Sequence, residues 1–139
     1  MDTSDYSEYS EYMDDVNNSE GFYVTPSRDG SEFPGGIRHV GDYSGDDYRK
    51  AKCAAVFAVE EHNKKEGEKG SLVFKRIVNL NVEPAAGAIY YITMAAADVS
   101  GKLFRYQAKV WKKINTGYQV LIFRLAPYWL KFSGNWKKR

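Results

Sequence analysis

Phe57-Ala58-Val59-Glu60-Glu61-His62-Asn63-Lys64-Lys65 is the stretch on which the fold turns. It closes a helical pattern running from Ser44 to Asn63, in which Tyr48, Ala51 or Lys52, Ala55, Val59 and His62 recur at three- and four-residue spacing. Ala54, Phe57 and Ala58 widen the apolar face. Ser44 or Asp46 can cap the start, and the carboxylates of Asp46 and Asp47 suit the positive end of the helix dipole. The run from Asn63 to Gly70 stops the helix with basic residues and glycines. The spacing predicts one helix of about five turns at 3.6 residues per turn.

Downstream of this helix the period changes to two. Leu72, Phe74, Arg76, Val78, Leu80 and Val82 alternate with Val73, Lys75, Ile77, Asn79 and Asn81 until Glu83-Pro84-Ala85-Ala86-Gly87 interrupts. Ala88 to Ala97 resumes with Ile89, Tyr91, Thr93 and Ala95 on one face. A turn at Asp98-Val99-Ser100-Gly101 leads into Leu103 to Trp111, where Phe104, Tyr106, Ala108 and Val110 oppose Arg105, Gln107 and Lys109. After Asn115-Thr116-Gly117 the last strand runs from Tyr118 to Leu125. One helix followed by four strands on short connections reads as α+β, an antiparallel meander with a helix to cover its apolar face.

Upstream the chain changes character. Residues 1 to 32 carry the repeat Asp5-Tyr6-Ser7-Glu8-Tyr9-Ser10-Glu11-Tyr12 and nine carboxylates against one base, Arg28, which leaves this block at −8. Its large apolar residues sustain no period, so it is expected to be a mostly disordered acidic tail, a solubilising extension or else a phosphorylation or docking segment. Residues 33 to 98 are neutral, and from Val99 onward there are ten Lys and Arg and no acid. The formal net charge of +2 therefore hides a gradient from −8 to +10. The folded domain is expected over residues 33 to 132, with 133 to 139 a basic tail. The single cysteine, Cys53, allows no internal disulfide. With no apolar run near the roughly 20 residues that span a bilayer and no signal-peptide pattern, the chain reads as cytoplasmic, or as a form whose targeting segment is absent.

These residues carry a family resemblance. Phe57 to Lys65 resembles the helix signature of the plant cystatins, inhibitors of papain-like cysteine proteases. Gly87-Ala88-Ile89-Tyr90-Tyr91-Ile92-Thr93 is similar to the strand after that family's inhibitory loop, and Tyr106-Gln107-Ala108-Lys109-Val110-Trp111 to the strand before its second loop. The three motifs occur in the family's order across roughly residues 33 to 125. The resemblance implies a cystatin-like fold, one long helix packed on a curved antiparallel sheet of four to five strands. It also implies a reversible inhibitor that plugs a protease cleft with a glycine-bearing N-terminal trunk, a first hairpin loop of pattern Gln-x-Val-x-Gly and a second loop bearing Pro-Trp. Preformed loops entering a preformed groove lose little conformational entropy.

Mapped onto this chain, the resemblance assigns protease contact to Gly35 and Gly36, to Glu83, Pro84, Ala85, Ala86 and Gly87, and to Ile114 and Asn115. Gly35-Gly36 lets the trunk lie close to another backbone. In the first loop Gly87 is kept, while an acid replaces the glutamine and Ala85 the valine. At about 0.8 kcal/mol per buried carbon, the valine change removes roughly 1 to 2 kcal/mol of contact. Ile114-Asn115-Thr116-Gly117 stands where Pro-Trp is expected, so an aromatic anchor is missing.

Catalysis is not expected. Cys53 and His62 are nine helical residues apart, on the order of 13 Å at a 1.5 Å rise, too far for a thiol and its base. Two histidines and one cysteine at these spacings make no standard metal site, and no cofactor is expected. A monomer without membrane contact is the expectation. Two alternatives remain: a cystatin-fold binding module that has lost inhibition, and a basic polyanion-binding domain using the aromatics and bases of Tyr128 to Arg139.

Overall fold

The computed structural model describes residues 3–24, 36–127, 129–132 and 135–138, with side chains described for 9–24 and 36–127. In chain order the elements are α1 (Thr3–Ser19), β1 (Arg38–His39), α2 (Asp46–Glu66), a short 3-10 turn (Glu68–Gly70), β2 (Val73–Pro84), β3 (Gly87–Ala97), β4 (Leu103–Lys113), β5 (Tyr118–Leu125), β6 (Trp129–Phe132) and β7 (Asn135–Lys138). Strands β1 to β5 form one antiparallel sheet in sequence order, and β6 pairs with β7 in a separate hairpin. The α+β architecture with a long helix on an antiparallel sheet agrees with the sequence.

Helix α2 lies where the spacing puts it and runs three residues further. Gly45, in extended conformation, is its N-cap and offers no side-chain bond; the expected caps Ser44 and Asp46 do not act as such. Instead Asp42 accepts from the Ser44 N–H at 3.0 Å and from its hydroxyl at 2.7 Å, folding the approach to the helix. Asp46 and Asp47 occupy the first turn, Lys64 and Lys65 the last, and Gly67 ends the helix at φ 72°. The side chain of Asn63 bonds both backbone groups of Leu72, at 2.9 and 2.8 Å, so the signature stretch also splices the helix to β2. His62 stacks on Phe123 at 4.7 Å and its Nε2 donates to the Gly70 carbonyl at 3.1 Å.

Alanines 51, 54, 55 and 58 with Val59 form the buried face of α2, and their small size lets the helix sit close to the sheet. The facing residues are Ile77, Leu80 and Val82 of β2, Tyr90, Ile92, Met94 and Ala96 of β3, and Ala108 and Val110 of β4. The β2 set differs from strict alternation. Register shifts between Phe74 and Arg76 and between Ile77 and Asn79 change the phase, so Ile77 turns inward while Arg76 and Val78 line a groove with Thr93 and Ala95. Bulges of this kind bend a strand and increase its twist, which curves the sheet.

The N-terminal segment departs from the expected disorder. Residues 3–19 are helical, and α1 with the turn after it covers the sheet face opposite α2. Tyr12, Phe22, Val24, Ile37 and Tyr91 form this second cluster, bordered by Met13, Val16, Ile89 and Ile122. The sequence shows no apolar period here because the buried face of α1 includes Asp15 and Ser19, and the Ser19 side chain is satisfied locally: its hydroxyl donates to the backbone carbonyl of Asp15 at 2.5 Å and accepts from the Tyr23 N–H at 2.9 Å. The sheet meets the following turn halfway, with the amides of Asn79 and Asn81 donating to the carbonyls of Phe22 and Gly21 at 3.1 and 2.9 Å. Arg124 bonds Glu20 at 2.9 Å and lies over the Phe22 ring at 5.4 Å. Burial against the sheet offsets the ordering entropy that the isolated segment could not.

The C-terminal stretch carries further regular structure. Residues 135–138, expected as tail, form β7, with Trp129 opposite Lys138 and Phe132 opposite Asn135. Backbone pairing of this sort depends on the partner strand and leaves no mark in a stretch rich in lysine.

Candidate functional site

Antiparallel order brings three segments to one end of the sheet. Gly87 pairs with Lys113, so the β2–β3 turn and the β4–β5 turn lie side by side. Arg38 pairs with Val82 and His39 with Asn81, so the chain leading into β1 through Gly36 comes from the end of β2 that carries the first turn. Gly36, the segment Glu83–Gly87 and the pair Ile114–Asn115 therefore share one end. Gly35 lies outside the described residues.

The first turn is tight and braced. Ala86 has φ 42° and Gly87 φ 114°, and the Ala85 N–H reaches the Gly87 carbonyl at 3.4 Å. A Cβ on Gly87 would stand 2.0 Å from the Lys112 carbonyl oxygen, so glycine is required there both for its backbone angles and for the closeness of β4. The indole Nε1 of Trp111 donates to the Ala85 carbonyl at 2.8 Å. Pro84, Ala86 and Gly87 are exposed, while Glu83 and Ala85 are half-buried.

Glu83, the acid in place of the family's glutamine, has a partner within the chain. The Tyr91 hydroxyl donates to its Oε1 at 2.6 Å. Burial, the hydrogen bond to Glu83 and the charge of that carboxylate together hold the Tyr91 phenol well above the ordinary tyrosine range. Tyr91 is thus a neutral donor, and Glu83 stays seated on the sheet without a cation from any partner.

The second turn is closed by the Lys113 N–H donating to the Gly117 carbonyl at 3.2 Å. Residues 114–117 are exposed, Ile114 at 66%. Lysines surround this end: Lys113 lies over the Trp111 ring at 5.1 Å, Lys112 over Tyr118 at 5.3 Å and Lys109 over Tyr91 at 5.2 Å. The end presents small apolar turns in a basic frame. It offers main-chain groups and modest apolar contact, and among the described residues no group of three or more His, Cys, Asp or Glu is placed to hold a metal.

Three residues that brace this end are not marked as site residues by the sequence: Trp111, Tyr91 and Tyr12. Trp111 and Tyr91 are legible only as strand aromatics, and their bonds to the loop depend on register. Tyr12 belongs to the segment expected to be disordered, yet its hydroxyl accepts the Ile37 N–H at 2.6 Å.

A family model described as aspartic acid proteinase inhibitor matches residues 45–124, from the cap of α2 through β5 and including both turns. The chain belongs to this family. It is also 46% identical over 59 residues to cysteine proteinase inhibitor A of Helianthus annuus, covering 42% of this chain and 68% of that protein. Over 85 residues it is 38% identical to multicystatin of Solanum tuberosum, 61% of this chain and 11% of that protein. Over 87 residues it is 37% identical to cysteine proteinase inhibitor 1 of Oryza sativa subsp. japonica, 63% of this chain and 58% of that protein. The chain thus spans only a small part of the potato protein and under two thirds of the rice one. The family and these relatives bear out the resemblance to the plant cystatins.

Proposed function

We propose that this chain is a reversible proteinase inhibitor that inserts the end formed by Gly36, Glu83–Gly87 and Ile114–Asn115 into a protease cleft. The observation that carries the reading is the adjacency of the two braced turns, Gly87 opposite Lys113, with the trunk alongside β2. A wedge needs its contacts held together before binding, and the Trp111 and Tyr91 bonds supply that rigidity. The names of the relatives support cysteine proteinases as the target class, and the resemblance of the helix and strand motifs to the plant cystatins narrows the proposal to papain-like endopeptidases. No bond is made or broken, and inhibition follows from occupancy of the cleft.

Aspartic endopeptidases are the second reading. The family match favours it, and so does the loop chemistry: Ala85 in place of valine and an exposed Ile114 in place of a tryptophan remove two anchors of papain recognition. Titrating active papain and, separately, active pepsin with the full chain and with Ile114→Asp separates the readings. Inhibition below about 1 µM, on the order of 8 kcal/mol of binding, that the variant weakens supports the wedge and identifies the target class. No inhibition of either enzyme at tens of micromolar overturns it in favour of a cystatin-fold binding module.

A further inference from the structure

We propose that Tyr12 of α1 is a positioning residue for the protease-contact end, holding the trunk in place through the backbone of Ile37. The inference rests on the reading above and extends it to a part of the chain that no plant-cystatin motif covers. The trunk's own hold on the sheet is slight: β1 contributes two residues, Arg38 and His39, before Val40 donates to the Leu80 carbonyl at 2.9 Å. Immediately upstream, the Ile37 N–H points away from β2 and is taken up by the Tyr12 hydroxyl at 2.6 Å. Donor and acceptor are 25 residues apart in sequence, and the bond is buried, with Tyr12 8% and Ile37 7% exposed. A buried N–H left without an acceptor is costly, so this bond selects one course for the chain at Gly36.

The same cluster also reaches the first loop. Tyr91 meets Phe22 edge to face at 5.6 Å, shares the cluster with Tyr12 and Ile37, and sends its hydroxyl to Glu83. One tyrosine of α1 and one of the β3 face beneath it therefore hold two of the three contact elements, Tyr12 the trunk and Tyr91 the loop. The acidic N-terminal segment is consequently part of the binding unit: it orders the trunk before a protease arrives and reduces the entropy lost on binding.

Amide hydrogen exchange on the full chain tests this, comparing the unsubstituted protein with Tyr12→Phe, which keeps the ring and removes the acceptor. Tyr43→Phe, at an exposed site between β1 and α2, is the control. The expected result is exchange at the Ile37 amide faster by about tenfold, with α2 and β3 amides unchanged, and faster dissociation from whichever protease the unsubstituted chain inhibits. Unchanged Ile37 exchange overturns the proposal, as does faster exchange with unchanged dissociation. If Tyr12→Phe loosens all of α1, Ile37→Pro removes the donor and leaves Tyr12 in place. It must reproduce the faster dissociation, and unchanged dissociation overturns the role. A chain that inhibits neither papain nor pepsin defeats the inhibitor reading by itself, and Ile37 exchange then decides alone whether Tyr12 positions the trunk.

Discussion

Trp111 and Ala85 are 26 residues apart in sequence and joined by an indole-to-carbonyl bond of 2.8 Å. The bond reaches from β4 past the Gly87 end of β3 to the first turn, so the turn is braced from outside its own hairpin. Trp111→Phe keeps most of the apolar contact and deletes the donor. It is expected to cost about 1 kcal/mol in urea unfolding and to speed exchange at the Ala86 and Gly87 amides. Unaltered exchange at the turn would mean that the hairpin holds its shape unaided.

Gly87 and Gly101 both have positive φ, at 114° and 87°, yet only Gly87 is crowded. Gly101→Ala meets open space and is expected to cost about 1 to 2 kcal/mol from backbone strain alone. Gly87→Ala drives a methyl into the Lys112 carbonyl and is expected to cost at least about 1 kcal/mol more than Gly101→Ala, measured by chemical denaturation of both variants. Equal costs would contradict the close approach of β4. Any Gly87 variant is therefore a test of turn geometry more than of contact with a protease.

Ala85 is half-buried beneath the Trp111 bond, with its neighbours Pro84 and Ala86 exposed. Restoring two carbons with Ala85→Val is expected to strengthen papain binding by about 1 to 2 kcal/mol, roughly tenfold. Inhibition constants of the two proteins against papain check this. Weaker inhibition by the Ala85→Val variant would show that the cleft contacted is not built for the plant-cystatin loop.

Removal of residues 1–24 strips the cover from Ile37 and Tyr91 and leaves the side-chain amides of Asn79 and Asn81 without the Phe22 and Gly21 carbonyls. The melting temperature is expected to fall by about 5 °C or more, read by circular dichroism. An acidic tail that merely shields the basic sheet predicts an unchanged melt and altered association at low salt only.

Alkaline pH has a defined sign. Burial first, then the hydrogen bond to Glu83 and the charge of Glu83, raise the Tyr91 phenol, and burial is the leading cause of the rise at Tyr90, Tyr106 and Tyr118. A folded-state pKa above the unfolded value near 10 leaves stability whole below that pH and erodes it above, as the unfolded chain loses protons first. Above about pH 10 Tyr91 should make stability fall as pH rises, and Tyr91→Phe should flatten the decline. Urea midpoints across that range decide it.

Local signals carried most of the main domain. Helix α2 was legible because its alanine face repeats at helical spacing and because Asp46, Asp47, Lys64 and Lys65 mark its ends. The turns at Glu83–Gly87 and Asn115–Gly117 were legible from proline, glycine and asparagine, and short antiparallel connections then oblige both to lie at one end of the sheet. The plant-cystatin resemblance also followed from the stretch at Phe57 to Lys65 and the two strand motifs. On β3 both faces are apolar, so alternation alone could not say that Tyr90, Ile92 and Met94 face α2 while Ile89 and Tyr91 await a second cover.

Sequence by itself thus determined the helix, the meander and the chemistry of the turns, because each arises from contacts between residues close in the chain. Tertiary structure alone decided that the acidic N-terminus folds over the sheet, and that Tyr12, Tyr91 and Trp111 hold the trunk and the first loop. Those bonds, Tyr12 to Ile37, Tyr91 to Glu83 and Trp111 to Ala85, span 25, 8 and 26 residues. Their donors and acceptors become neighbours only when β-sheet register and helix docking are set, and register is a property of paired strands that no single segment encodes.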